Sequence, residues 1–144
     1  MFAIIVGGGR TGYHLAKILH DEGCEVTIID RKGDVCQEIT SEIGCNCIVG
    51  DATKPQILQE AGVCEADSII ALTGADETNL IISLVAKQLG AKQVAARLGS
   101  LHYDEKMLKK LGLDLVIYPD AAAAGYVAEL ITTRTAGPRI HCAR

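Results

Sequence analysis

Positions 7 to 12 read Gly7-Gly8-Gly9-Arg10-Thr11-Gly12, in which Gly7, Gly9 and Gly12 satisfy the spacing G-x-G-x-x-G directly after a short apolar segment. The first glycine of such a loop permits a tight turn, the second lets backbone amides approach a pyrophosphate, and the third lets the next helix sit close to its strand. A helix that starts here also aims its free amides and the positive end of its dipole at a bound phosphate. Arg10 and Thr11 lie inside the loop, and Arg10 is placed to reach phosphate. Asp30 closes the next apolar segment, 18 residues beyond Gly12. A carboxylate there can accept hydrogen bonds from the two hydroxyls of an adenine-linked ribose and repels a 2′-phosphate, which predicts NAD(H) or an adenosine di- or triphosphate over NADP. Arg31 beside it carries the opposite charge and works against that preference. The plainer alternatives are a glycine turn without a ligand and a solvated carboxylate at a strand end.

Three more clusters fall at the ends of predicted strands, the edge where open α/β sheets bind ligands. In Gly50-Asp51-Ala52-Thr53, Asp51 is placed to meet the adenine or its ribose. Thr73 and Gly74 either line the second half of the crevice or, with Asp76, only cap the following helix. Arg97 either pairs with phosphate oxygens or salt-bridges a neighbouring carboxylate. Catalytic equipment is scarce by comparison. His14 and His20 read as surface residues of the first helix, and His102 opens a later one. Tyr103 is followed by Lys106, one residue short of a Tyr-x-x-x-Lys pair, and no serine elbow follows a strand. An enzyme needs an acid or base held over its cofactor, so the reading is a binding domain and not an enzyme.

These residues need a frame, and the apolar pattern supplies it. Strands are predicted at 2–6, 25–30, 45–49, 68–72, 93–97 and 115–117, most of them apolar throughout, as in a sheet covered on both faces. Helices are predicted between them at 11–22, 34–43, 55–61, 76–89, 103–111 and 121–133, with Leu80 and Leu84 marking the buried side of one and Leu108 and Leu111 that of another. Glycines at 23, 44, 62, 90 and 112 mark helix exits. Strict alternation with short connections predicts an α/β, Rossmann-like, doubly wound and mostly parallel six-stranded sheet with helices on both faces. Residues 1–133 form one domain in this reading, and 134–144, which include Gly137-Pro138, form a tail or linker.

Composition narrows the class. At 144 residues, 49% hydrophobic and 22% charged, the chain fits one globular domain and not a disordered one. No apolar run approaches the roughly 18 residues of a membrane span. A formal charge of −4 argues against a nucleic-acid partner. Met1 to Val6 run straight into the glycines without a basic leader, which predicts an untargeted cytosolic protein. Six cysteines, without a Cys-x-x-Cys or a zinc-like spacing, are then expected to be reduced and to pack as small hydrophobes. Cys45 and Cys47 would share one face of a strand, so a redox or metal role for that pair is the alternative.

Taken together, the glycine loop, Asp30, the Gly50-Asp51-Ala52-Thr53 turn, Ala71-Leu72-Thr73-Gly74-x-Asp76-Glu77-x-Asn79-Leu80, Ala86 to Ala91, Ala96-Arg97 and Tyr118-Pro119-Asp120 resemble the TrkA N-terminal domain. This domain is also known as KTN, the N-terminal half of the regulator of potassium conductance (RCK) domain. The resemblance covers roughly residues 1–133. It implies a cytoplasmic regulator held at the cytoplasmic face of the membrane by a potassium channel or transporter subunit. It also implies a ligand that is NAD(H), ATP or ADP, and assembly as homodimers and then rings. Carried over by position, Gly7, Gly9, Arg10 and Gly12 would hold the diphosphate and Asp30 the ribose, with Thr11 and Arg31 beside them in the cofactor site. Asp51 and Ala52 would take the adenosine side, Thr73, Gly74 and Asn79 the crevice wall, and Arg97 phosphates, of its own or a neighbouring subunit. Helices 103–111 and 121–133, the latter with Ala121 to Gly125, are the expected dimer contact. The family's second lobe has no counterpart in these residues. The rival reading is the cofactor domain of an NAD-dependent oxidoreductase, and a soluble redox sensor is a third.

Overall fold

The computed structural model describes residues 1–100 and 102–136. The predicted alternation is realised as β1 (Phe2–Val6), α1 (Arg10–Asp21), β2 (Glu25–Asp30), α2 (Gly33–Glu42), β3 (Asn46–Val49), α3 (Pro55–Glu60), β4 (Ser68–Ala71), α4 (Asp76–Gln88), β5 (Val94–Arg97), α5 (Glu105–Lys110), β6 (Leu115–Ile117) and α6 (Pro119–Ala136). The six strands form one sheet in the order β3-β2-β1-β4-β5-β6, and every pairing is parallel. The order reverses between β1 and β4, and that switch point opens a crevice beyond the strand ends. Register fixes its lip: Val6 pairs Ile29 on one side and Ala71 on the other, while Asp30 pairs Val49.

Both faces of the sheet are buried because successive strand residues point to opposite sides. Ile4 and Val6 face one cluster with Ile29, Ile69 and Ala71, under Leu58 of α3, Ile82 and Ala86 of α4 and Leu108 of α5. Ile5 and Ile28 face the other, under Ala16 of α1 and Ile39 of α2. Truncating one of these fully buried isoleucines to alanine would cost about 2–5 kcal/mol. Each of the five glycines expected at helix exits takes a positive φ.

Two expectations fail here. Leu84 is exposed, and α4 turns Asn79, Ile82, Ser83 and Ala86 inward instead. The buried stripe has ordinary i, i+3, i+4, i+7 spacing but half of it is polar, so an apolar count placed the face wrongly. The cysteines differ as well. Cys36 of α2 and Cys47 of β3 are joined in a disulfide, with Cα atoms 5.3 Å apart. The cause is tertiary: α2 lies on β3, which brings the buried Cys36 against Cys47 at the margin of the cluster that also contains Cys45. Cys24, Cys45 and Cys64 are free, and burial raises the Cys45 thiol above its usual pKa. Cys45 therefore does not pair with Cys47, and Cys142 lies outside the described residues. Among the described residues no group of His, Cys, Asp and Glu side chains is disposed to hold a metal, and no helix is long and apolar enough to cross a membrane. The expected tail begins inside α6, and beyond Ala136 it lies outside the described residues.

Candidate functional site

Backbone conformation builds the floor of the crevice. Gly7 has φ +104°, and a Cβ there would stand 2.9 Å from the Leu72 carbonyl oxygen at the end of β4. A Cβ on Gly12 would collide with the Gly7 carbonyl oxygen, so only glycine lets α1 start this close to β1. The N-cap of α1 is Gly9, and no side chain caps it. The first-turn amides of α1 therefore have no side-chain cap as partner, which suits an anion at that end.

The resulting cavity has a volume of about 410 Å³. Its lining includes Gly7, Gly9, Arg10, Thr11, Asp30, Arg31, Asp51, Ala52, Thr73, Gly74 and Arg97, so the structure brings together eleven of the thirteen positions expected from sequence. The other two, Gly12 and Asn79, stand behind the lining, where Gly12 admits the helix and Asn79 acts as a brace. Gly50 of the Gly50-Asp51-Ala52-Thr53 turn lines it too, and so do Lys32 and Thr78, which the sequence reading does not include. Lys32 had a legible signal, a second cation just after Asp30. Thr78 had none, because its orientation depends on how α4 packs.

Asp30 does more than wait for a ribose. Its Oδ2 accepts a hydrogen bond from the Gly8 amide at 2.7 Å, and its Oδ1 accepts one from the Lys32 amide at 2.9 Å. The carboxylate thus ties the glycine loop to the loop after β2, while each oxygen retains a lone pair for a ligand. Asp51 stands on the same side. Its Oδ1 accepts from the Thr53 hydroxyl at 2.7 Å and the Thr53 amide at 3.0 Å. Those two bonds, the hydroxyl first, hold its carboxyl below the usual range, with Arg31 and Lys54 adding to the effect against a small opposing burial. Asp51 is therefore an acceptor at neutral pH, fit for a ribose hydroxyl or an exocyclic amine.

The opposite wall is neutral and buried. Asn79 has no exposed surface. Its Oδ1 accepts from the Thr73 amide at 2.9 Å and the Thr73 hydroxyl at 2.6 Å, and its Nδ2 donates to the carbonyls of Thr73 at 3.1 Å and Arg97 at 2.8 Å. One amide side chain thereby joins the ends of β4 and β5. Arg97 Nη2 also donates to the Thr73 carbonyl at 2.7 Å. Among the described residues Arg97 forms no ion pair with a carboxylate, and α4 has no side-chain cap, so neither of the plainer alternatives for these positions is realised. Asp76 ties a different pair of groups, accepting from the amides of Gly99 at 2.8 Å and Ser100 at 3.3 Å.

Charge completes the description. Arg10, Arg31, Lys32 and Arg97 face the cavity against the two carboxylates of Asp30 and Asp51. The site can attract a polyanion while offering two acceptors to a sugar or base at one end. His14 and His20 are exposed on α1 and do not line it.

A family model described as the TrkA-N domain matches residues 3–119. A Trk system potassium uptake protein TrkA homologue of Methanothermobacter thermautotrophicus is 36% identical over 132 residues, which is 92% of this chain and 61% of that protein. The chain thus spans about three-fifths of that relative's length. Among solved structures, GsuK bound to ADP is 27% identical with a TM-score of 0.72, covering 92% of this chain and 34% of that one. The TrkA-N domain of the inner membrane protein ybaL of Escherichia coli has the same fold at a TM-score of 0.78 and 23% identity, covering 90% of this chain and 95% of that one.

Proposed function

The chain belongs to the TrkA-N domain family, and from that premise we propose that it is the nucleotide-binding regulatory domain of a potassium channel or transporter. The observation that carries the reading is the meeting of the glycine loop, Asp30 and Arg97 in one crevice. The ligand is an adenine nucleotide with a free ribose 2′-hydroxyl, NAD(H) or ATP/ADP. Its diphosphate lies over the start of α1 near Arg10, its ribose at Asp30 and its adenine toward Asp51. That a relative of the same fold, GsuK, is bound to ADP supports an adenine nucleotide as the ligand. The domain binds its nucleotide without turning it over, at the cytoplasmic face of a membrane partner.

Regulation in this reading is a population shift. A nucleotide that bridges the Asp30 wall and the Arg97 wall favours the closed spacing of the two, and only such differential binding can move a gate. Assembly is as a homodimer or larger ring through α6, which exposes Tyr126, Val127 and Ile131. A strict monomer in sedimentation at high micromolar concentration, with and without ADP, would remove that part.

A thermal-shift panel of NAD, NADH, NADP, ATP, ADP and AMP tests the ligand class. At one hundred times its Kd a ligand stabilises by about 2.7 kcal/mol, or roughly 5–10 °C for a domain this size. Nucleotides with a free 2′-hydroxyl should give that shift. Stabilisation by NADP alone would overturn the role of Asp30, and hydride transfer from NADH to a small carbonyl compound would overturn the non-enzymatic reading.

A further inference from the structure

The Cys36–Cys47 disulfide stands behind the Asp30 side of the crevice, and hydrogen bonds lead from both of its ends to Asp30. Cys36 is in the first turn of α2, and its amide donates to the carbonyl of Lys32, the N-cap of that helix, at 3.2 Å. The Lys32 amide donates in turn to Asp30 Oδ1 at 2.9 Å. Cys47 lies on β3, whose next-but-one residue, Val49, pairs with Asp30. The Gly50 amide then donates to the Asp30 carbonyl at 2.9 Å. Disulfide, α2 start, Asp30 and β3 end therefore form a closed ring, and Lys32, Asp30, Gly50 and Asp51 are the part of it that faces or adjoins the cavity.

β3 is one of the two edge strands of the sheet and, among the described residues, is paired on one side only, by β2. The covalent link supplies part of the support that a second neighbouring strand would otherwise give. Cys47 is partly exposed whereas Cys36 is 5% exposed, so of the two residues Cys47 is the more accessible to an incoming thiolate, whose attack there would expel the Cys36 sulfur.

We propose that Cys36–Cys47 is a thiol-exchange site whose reduction loosens the Asp30 wall and weakens adenine-nucleotide binding. The reductant is a dithiol protein or small dithiol. Its first thiolate forms a mixed disulfide with Cys47, and its second sulfur then displaces Cys47. Two electrons and two protons pass to the chain, leaving Cys36 and Cys47 as thiols and the reductant as a disulfide. The consequence for affinity follows from preorganisation, since a wall that must be ordered on binding takes that ordering from the binding free energy. This rests on the nucleotide reading above, and the test separates the two.

The protein is prepared oxidised and dithiothreitol-reduced, and free thiols are counted by alkylation and mass. ADP affinity is then measured by calorimetry and backbone exchange by deuterium labelling. The oxidised form should carry two fewer alkylatable thiols. Reduction should raise the ADP Kd at least fivefold and speed exchange at the amides of Lys32, Cys36 and Gly50. A C36A/C47A variant should match the reduced form under both conditions. Full alkylation of the oxidised preparation, or equal Kd and equal exchange in the two forms, would overturn the proposal. If ADP binds neither form, the nucleotide reading fails, and the proposed weakening of binding fails with it. Faster exchange at Lys32 and Gly50 on reduction would then still show that the disulfide braces the wall.

Discussion

The two walls of the crevice are held by opposite means. On the β2 side, a half-buried carboxylate, Asp30, bridges two loop amides, with cations exposed around it and a disulfide behind. On the β4 and β5 side, a fully buried neutral amide, Asn79, makes four hydrogen bonds to backbone and hydroxyl groups. A charge near water can exchange partners at little net cost because solvent competes for it throughout. A buried amide cannot, because each group it abandons stays unsatisfied. The first wall is thus the responsive one and the second the fixed one.

The strongest way to break this contrast is Asn79→Leu, which removes the brace while keeping the volume roughly similar. Unsatisfied groups at Thr73 and Arg97 should lower stability by about 3 kcal/mol, a drop in Tm of roughly 10 °C. Thermal unfolding followed by circular dichroism checks it. A loss below 2 °C would mean that the second wall does not depend on this side chain. Asp30→Ala should show the reverse profile. ADP binding should weaken about tenfold, equivalent to about 1.4 kcal/mol, with a smaller change in Tm than Asn79→Leu gives. Unchanged affinity by calorimetry would take Asp30 out of the site.

The smallest effect concerns pH. Asp51 is held below the usual carboxylate range by the Thr53 hydroxyl and amide. Its contribution to stability is therefore present above its unfolded value of about 3.9 and is lost as pH falls through the lower native value. Asp51→Asn should flatten the acid limb of a Tm-against-pH curve below about pH 4 and leave neutral pH almost unaffected, since the group lies near solvent. An acid limb identical to that of the unsubstituted protein would assign it to other carboxylates.

Much of the responsive wall was legible in the chain. Gly7, Gly9, Gly12 and Asp30 are close in sequence or set by one β-α-β unit, so spacing alone placed them on one strand edge. The fixed wall was half legible. Thr73 and Arg97 are legible as strand ends, but Asn79, expected on the crevice wall, is the brace behind it. Leu84 of α4 is misplaced for the same reason, because Asn79 and Ser83 do not count as apolar yet are buried, Asn79 through Thr73 and Arg97 and Ser83 through the Asn79 carbonyl.

By itself, then, the sequence determined the backbone: which segments are strands and helices, where glycine permits a turn or a close approach, and which strand ends carry charge. Those properties depend on neighbours within a few residues or on a two- or four-residue period. Only the tertiary structure decided that Cys36 meets Cys47, that Thr78 reaches the cavity, and that Asn79 joins β4 to β5. Each of these rests on the rotation of a helix against the sheet, which is set by packing over the whole core and has no local signature.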